Sequence, residues 1–205
     1  MKISIFAGDI SDAPAEALCT STNPRLSLVM GTGASVRGRG GFEILRACEA
    51  IVEAESLRTG VRGLPPGSVH TTTAGQLPAK IVIHCVASDA SHRSSAAIIR
   101  QCVANALTAA ATAECTSIAM PLFGTGHAHF KAEQALTVMA EALRDAAAGA
   151  GHVMVVIHDP EIISSGLRIL RRVLPGCEPD VMRGPAEDGE GRGMWRSHWG
   201  GRDEN

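Results

Sequence analysis

The stretch Ser117-Ile-Ala-Met-Pro-Leu-Phe-Gly-Thr-Gly-His-Ala-His-Phe130 constrains the fold of this chain more than any other. Residues 117–120 read as a short buried strand, and Pro121 ends it because proline cannot donate to a ladder. Gly124-Thr125-Gly126 then allows the backbone to come close to a ligand, and a helical pattern starts at Lys131. Strand, glycine loop and helix, in that order, aim free N–H groups at an anion. A second cluster, Gly31-Thr32-Gly33, also precedes an apolar-periodic segment, whose helix is expected from about Ala34. Two such loops in one small domain suggest a ligand with more than one phosphate.

The rest of the chain supplies the scaffold. Strands are expected over 2–7, 16–21, 68–74, 80–86 and 153–157. Helices are expected from about 34 to the Gly40-Gly41 break, over 42–57, from a Ser94-Ser95 cap to about 113, over 131–148 with Gly149 and Gly151 as the stop, and over 164–174. This alternation gives an α/β domain with a mixed or mainly parallel sheet. Ligands of such sheets sit at the carboxyl ends of the strands. The turn at Asp9, the 22–33 loop and the Gly124 loop each follow such an end, so one crevice can take all three. The domain is expected to fill 1–175. Residues 176–205, rich in glycine, proline and charge, read as a disordered tail that can be removed without loss of fold. Its only sticky features are Trp195 and Trp199.

Composition excludes several function classes. A net charge of −2 across 205 residues provides no basic field to attract nucleic acid or an anionic membrane. Aromatic residues are only 3% of the chain, too few for a base-stacking platform, so no intrinsic nucleic-acid affinity is expected. No apolar run approaches the ~20 residues a spanning helix needs. The N-terminus enters a strand directly, so a cytoplasmic location is the expectation. The six cysteines form no C-x-x-C pair and read as small buried thiols.

Gly31-Thr-Gly33-Ala-Ser-Val36 fails the dinucleotide fingerprint, whose third glycine would fall on Val36, and there is no P-loop lysine. Other segments converge on one family. Gly8-Asp9-Ile10-Ser11, Ala17-Leu-Cys-Thr-Ser-Thr-Asn23, Gly31 to Gly41, Thr73-Ala-Gly-Gln-Leu-Pro78 with Ile81-Val-Ile-His84, and Met120-Pro-Leu-Phe-Gly-Thr-Gly126 resemble the macro domain. The resemblance runs in order from residue 2 to about 174. It implies a three-layer α/β/α fold with a central mixed sheet. It also implies binding of ADP-ribose, free or on a macromolecule. No cofactor is expected, and no metal, since the pair His127 and His129 has no evident third ligand.

Residue by residue, the resemblance implies that Asp9 accepts from the adenine amino group and that Ile10 offers a backbone N–H to the ring. A turn-capping role is the alternative for Asp9. Asn23 corresponds to the asparagine facing the distal ribose; its alternative is an Asx turn before Pro24. Gly31, Thr32 and Gly33 correspond to the first phosphate loop, and Gly124, Thr125 and Gly126 to the second. His84, in an apolar strand, reads as a core histidine.

The departures from the family pattern matter for catalysis. Gly33 stands where the hydrolase branch carries an acid. The second loop continues His127-Ala128-His129, with Ala128 in place of an aromatic beside the distal ribose and Phe130 two residues on as its substitute. A reader of ADP-ribose is therefore the first expectation. The alternative is an ADP-ribosyl hydrolase or O-acetyl-ADP-ribose deacetylase, with Asn23, His127 and His129 as its candidate catalytic groups.

Overall fold

The computed structural model describes residues 1–146 and 151–185. The strands are β1 (Lys2–Ala7), β2 (Ala17–Thr22), β3 (Val69–Thr73), β4 (Ile81–Val86), β5 (Ser117–Pro121), β6 (His152–Ile157) and β7 (Asp180–Arg183). The helices are α1 (Gly31–Gly40), α2 (Phe42–Thr59), α3 (Ala96–Thr112), α4 (Ala132–Asp145) and α5 (Pro160–Val173), and a 3-10 turn covers Ile10–Asp12. The strands form one sheet in the order β3-β4-β2-β5-β6-β1-β7. Only β3 runs antiparallel to its neighbour; every other pairing is parallel.

Side-chain alternation along the central strands makes two cores, one on each face of the sheet. Ile3, Ile5, Cys19, Ile83, Ile118, Met120, Val153 and Val155 meet Ile99, Cys102 and Val103 of α3, Leu136 and Met139 of α4, and Leu170 of α5. Phe6, Leu18, Val82, Val86, Ala119, Met154 and Val156 meet Val36 of α1 and Ile44 and Cys48 of α2. The fold is thus a three-layer α/β/α sandwich around a mixed sheet. Five of the six cysteines are buried free thiols, and burial pushes Cys48 and Cys102 up to about 12. None of the described helices is long and apolar enough to cross a membrane.

Three elements differ from the sequence reading. Helix α1 begins at Gly31, so the first glycine cluster is the opening turn of the helix and not a loop before it. Helix α5 begins at Pro160, four residues before the expected start: Asp159 accepts from the Glu161 N–H at 2.9 Å, with proline at the first helical position. The third difference lies in the expected tail, which begins with structure. Residues 180–183 form β7, parallel to β1, with Ser4 opposite Asp180 and Ala7 opposite Arg183. Val181 packs on one core and Met182 on the other, so the folded unit runs past residue 175. Trp195 and Trp199, and the expected end of α4 at 147–149, lie outside the described residues.

Candidate functional site

The parallel strands bring their carboxyl ends to one edge of the sheet. There β1 is followed by Asp9, β2 by Asn23 and α1, and β5 by the Gly124 loop. Since β2 lies directly against β5, the two glycine segments are neighbours. Ser21 joins them: its backbone N–H donates to Thr32 Oγ1 at 3.2 Å, and its hydroxyl accepts from the Gly124 N–H at 3.3 Å.

Helix α1 opens without a side-chain cap, since its N-cap is Met30. Its first backbone bond is Ala34 N–H to Met30 O, so the amides of Gly31, Thr32 and Gly33 have no acceptor among the described residues. Four glycines in ten residues make a poor helix by propensity. Tertiary contacts impose it. Val36 is fully buried, and Gly33 packs so closely that a Cβ would lie 3.0 Å from Leu28 Cα.

The second loop is built alike. Gly124 has φ +76°, Phe130 N–H returns to Gly124 O at 3.0 Å, and His129 N–H returns to Gly126 O at 2.9 Å. The amides of Thr125, Gly126, His127 and Ala128 have no acceptor among the described residues. Both segments therefore present runs of free N–H donors. These can hold an anion without a lysine or arginine.

Asp9 lies at the β1 end and caps the 3-10 turn. One oxygen accepts from the Ser11 amide at 2.8 Å and from the Ser11 hydroxyl; the other accepts from Ser35 Oγ at 2.6 Å. Burial opposes its ionisation, but these hydrogen bonds and the Arg39 charge together hold its pKa below the ordinary value. Asp9 is thus a carboxylate, an acceptor only. Three of its roughly four lone-pair positions are taken, which leaves one on the oxygen facing Ser35. The turn-capping role and a free acceptor position coexist. Asp12 pairs with Arg39, a second tie between this turn and α1. Ile10 is buried at the head of the turn.

Asn23 makes the Asx turn. Its Oδ1 accepts from Arg25 N–H at 3.0 Å and from Ser27 N–H at 3.4 Å. With Oδ1 so engaged, Nδ2 is the part of this side chain that remains without a partner among the described residues, and it can only donate. The atoms closest to a Cβ built at Gly33 belong to Leu28 and the Ser27 carbonyl. Phe130 is turned toward the helices: its ring packs on the core beneath α4 and lines the groove between α4 and α5. This placement does not support the role expected for Phe130 as an aromatic beside the distal sugar.

Four residues of the site escaped sequence reading: Ser21, Ser35, Ser94 and His92. The last two belong to the segment after β4. His92, at φ +57°, meets His127 edge-on with ring centroids 5.9 Å apart. Ser94 packs on Gly124, where a Cβ would lie 2.6 Å from its hydroxyl oxygen. Among the described residues, no three His, Cys, Asp or Glu side chains gather as a metal set. His84 lies away from the crevice in the core, between Thr20 and Thr72.

Comparison with known proteins fits this geometry. The family model described as Macro domain matches residues 19–139. A macro domain-containing protein of Streptomyces griseus is 35% identical over 127 residues, 60% of this chain and 68% of that protein. Another from Streptomyces nogalater is 31% identical over 160 residues, 77% of this chain and 85% of that protein. The match to an uncharacterized Mycobacterium tuberculosis protein spans only 37% of its length. Among solved structures, an Oceanobacillus iheyensis macrodomain variant with ADPR superposes with a TM-score of 0.70 at 23% identity, over 83% of this chain and 90% of that one. A Trypanosoma brucei macrodomain in complex with ADP-ribose gives 0.66 at 18% identity, over 83% and 68%. The chain belongs to the macro domain family.

Proposed function

We infer that this protein binds ADP-ribose, free or carried on a macromolecule. The carrying observation is the Ser21 junction, which ties the amide run opening α1 to the amide run after β5. Two adjacent amide runs match a diphosphate. The one open acceptor position of Asp9 suits the adenine amino group at the β1 end, and Asn23 Nδ2 suits a ribose hydroxyl at the β2 end. The sheet order sets these two groups apart with β5 and β6 between them, as an elongated ligand requires. The ADP-ribose held by the Trypanosoma brucei macrodomain supports the same reading.

The geometry favours binding over hydrolysis. Attack at an anomeric carbon needs a group that takes a proton from water. Asn23 has its carbonyl oxygen committed to backbone amides, and Gly33 supplies no acid. His127 and His129, on the exposed rim of the second loop, and His92 beside His127 are the histidines left for that task.

Asp9→Ala tests the reading. It is expected to weaken ADP-ribose binding by roughly 1–3 kcal/mol, the value of a hydrogen bond to a charged acceptor. Ribose 5-phosphate, which lacks adenine, should bind nearly as well as before. Equal losses for both ligands would make Asp9 a structural cap and nothing more, since its ties to Ser11 and Ser35 shape α1 for any ligand.

A further inference from the structure

We propose that Ser94 is a phosphate-binding residue of the second loop, a role that rests on the ADP-ribose reading above. Its hydroxyl oxygen is enclosed and has no hydrogen-bond partner among the described residues. Burying a hydroxyl unpaired costs stability, and alanine at this position would fold more cheaply. The adjacent Ser95 already provides the helix cap, accepting from Ile98 N–H at 3.3 Å, so the hydroxyl of Ser94 is not needed for that purpose. What it faces is Gly124: a Cβ there would lie 2.6 Å from the Ser94 oxygen and 2.8 Å from its Cβ. The cover over the hydroxyl is therefore a bare glycine Cα, with φ +76°, at the start of the amide run.

Two further contacts tie the second loop to its neighbours. His92 rests against His127, and the Gly124 amide reaches Ser21, so the segment after β4 buttresses the loop from one side and the end of β2 from another. Glycine at 124 and again at 126 lets the loop shift as an anion draws its amides inward. Movement of the Gly124 Cα uncovers the hydroxyl, which then donates to a phosphoryl oxygen of the diphosphate. The unpaired hydroxyl is a local cost to the free protein that is recovered when the ligand arrives, as is common at binding sites.

The test is Ser94→Ala, measured against the unchanged protein by thermal melting without ligand and by calorimetric titration with ADP-ribose. The ligand-free melting temperature should stay the same or rise, and the Kd for ADP-ribose should weaken roughly tenfold. A Kd within twofold of the unchanged protein overturns the role of Ser94 and leaves the ADP-ribose reading standing. A melting temperature several degrees lower also overturns it, because the hydroxyl would then have a partner in the free protein. If the unchanged protein itself does not bind ADP-ribose, both readings fall together.

Discussion

Gly75→Ala is expected to lower the melting temperature on the order of 10 °C. Gly75, in the turn between β3 and β4, has φ +59°. A Cβ there would fall inside the van der Waals surface of the Gly40 carbonyl oxygen and 2.9 Å from Glu43 Oε1. The exposed Glu43 side chain can swing aside, but the Gly40 carbonyl cannot retreat easily. The Gly40 oxygen also accepts the Gln76 N–H at 3.0 Å, and Gly40 itself is pressed against Ile44 and Leu77. This contact fixes the α1–α2 corner to the sheet edge. The left-handed backbone costs an L-residue about 1–2 kcal/mol, and overpacking adds about 1–3 kcal/mol. Gly60 is the matched control: it has φ +71° and nothing within 4 Å of a built Cβ. Gly60→Ala should therefore show the backbone cost alone. Equal shifts for the two variants would mean that the α1–α2 corner yields freely, and thermal melting of both decides it.

The second large effect is acid loss of stability through His84. This side chain has no exposed surface and bridges β2 to β3, with Nδ1 2.9 Å from Thr20 Oγ1 and Nε2 2.9 Å from Thr72 Oγ1. The Thr72 hydroxyl donates to its neighbour's carbonyl, Thr73 O, at 3.0 Å, so it must accept from Nε2–H, and Nδ1 accepts from Thr20. Burial, with a smaller contribution from the charge of His70, pushes His84 down to about 4. The unfolded chain titrates near 6.5 and so binds more protons between those values. The stabilisation is complete above pH 6.5 and is lost as pH falls toward 4. Its full size is roughly 3 kcal/mol. His70 and His152, both lowered by burial, add slope of the same sign in the same direction. Glu16, held at about 2 by the Thr116 amide and Lys80, acts only at lower pH. Urea unfolding from pH 7 to 4.5 should show the loss, and His84→Gln should flatten it while lowering stability at pH 7. Parallel curves for the two proteins would remove His84 from the account.

Much of this architecture was legible because its signals are local. Short apolar runs identified the central strands, and the order of the glycine segments placed the crevice at their carboxyl ends. The misreadings share a physical cause. Gly31 to Gly33 read as loop because glycine disfavours helix, yet Leu28, Val36 and the Asp9–Ser35 contact determine the conformation there. β7 is short and lies in a polar segment; only the free edge of β1 makes it a strand. Asp9 and Asn23 were visible from their motifs, but their hydrogen-bond partners were not, so the sequence could not show that the Asn23 carbonyl oxygen is committed to the Arg25 and Ser27 amides. Ser21, His92 and Ser94 enter the site through contacts between segments distant in sequence, and no local pattern marks them.

The central claim is that two amide runs and one carboxylate form a single site for ADP-ribose. Calorimetric titration of the protein with ADP-ribose tests it most directly. One ligand per chain, with a Kd in the micromolar range or below, is the predicted result, corresponding to about −8 kcal/mol or more. No heat of binding at millimolar ADP-ribose, with the protein shown to be folded, would contradict it.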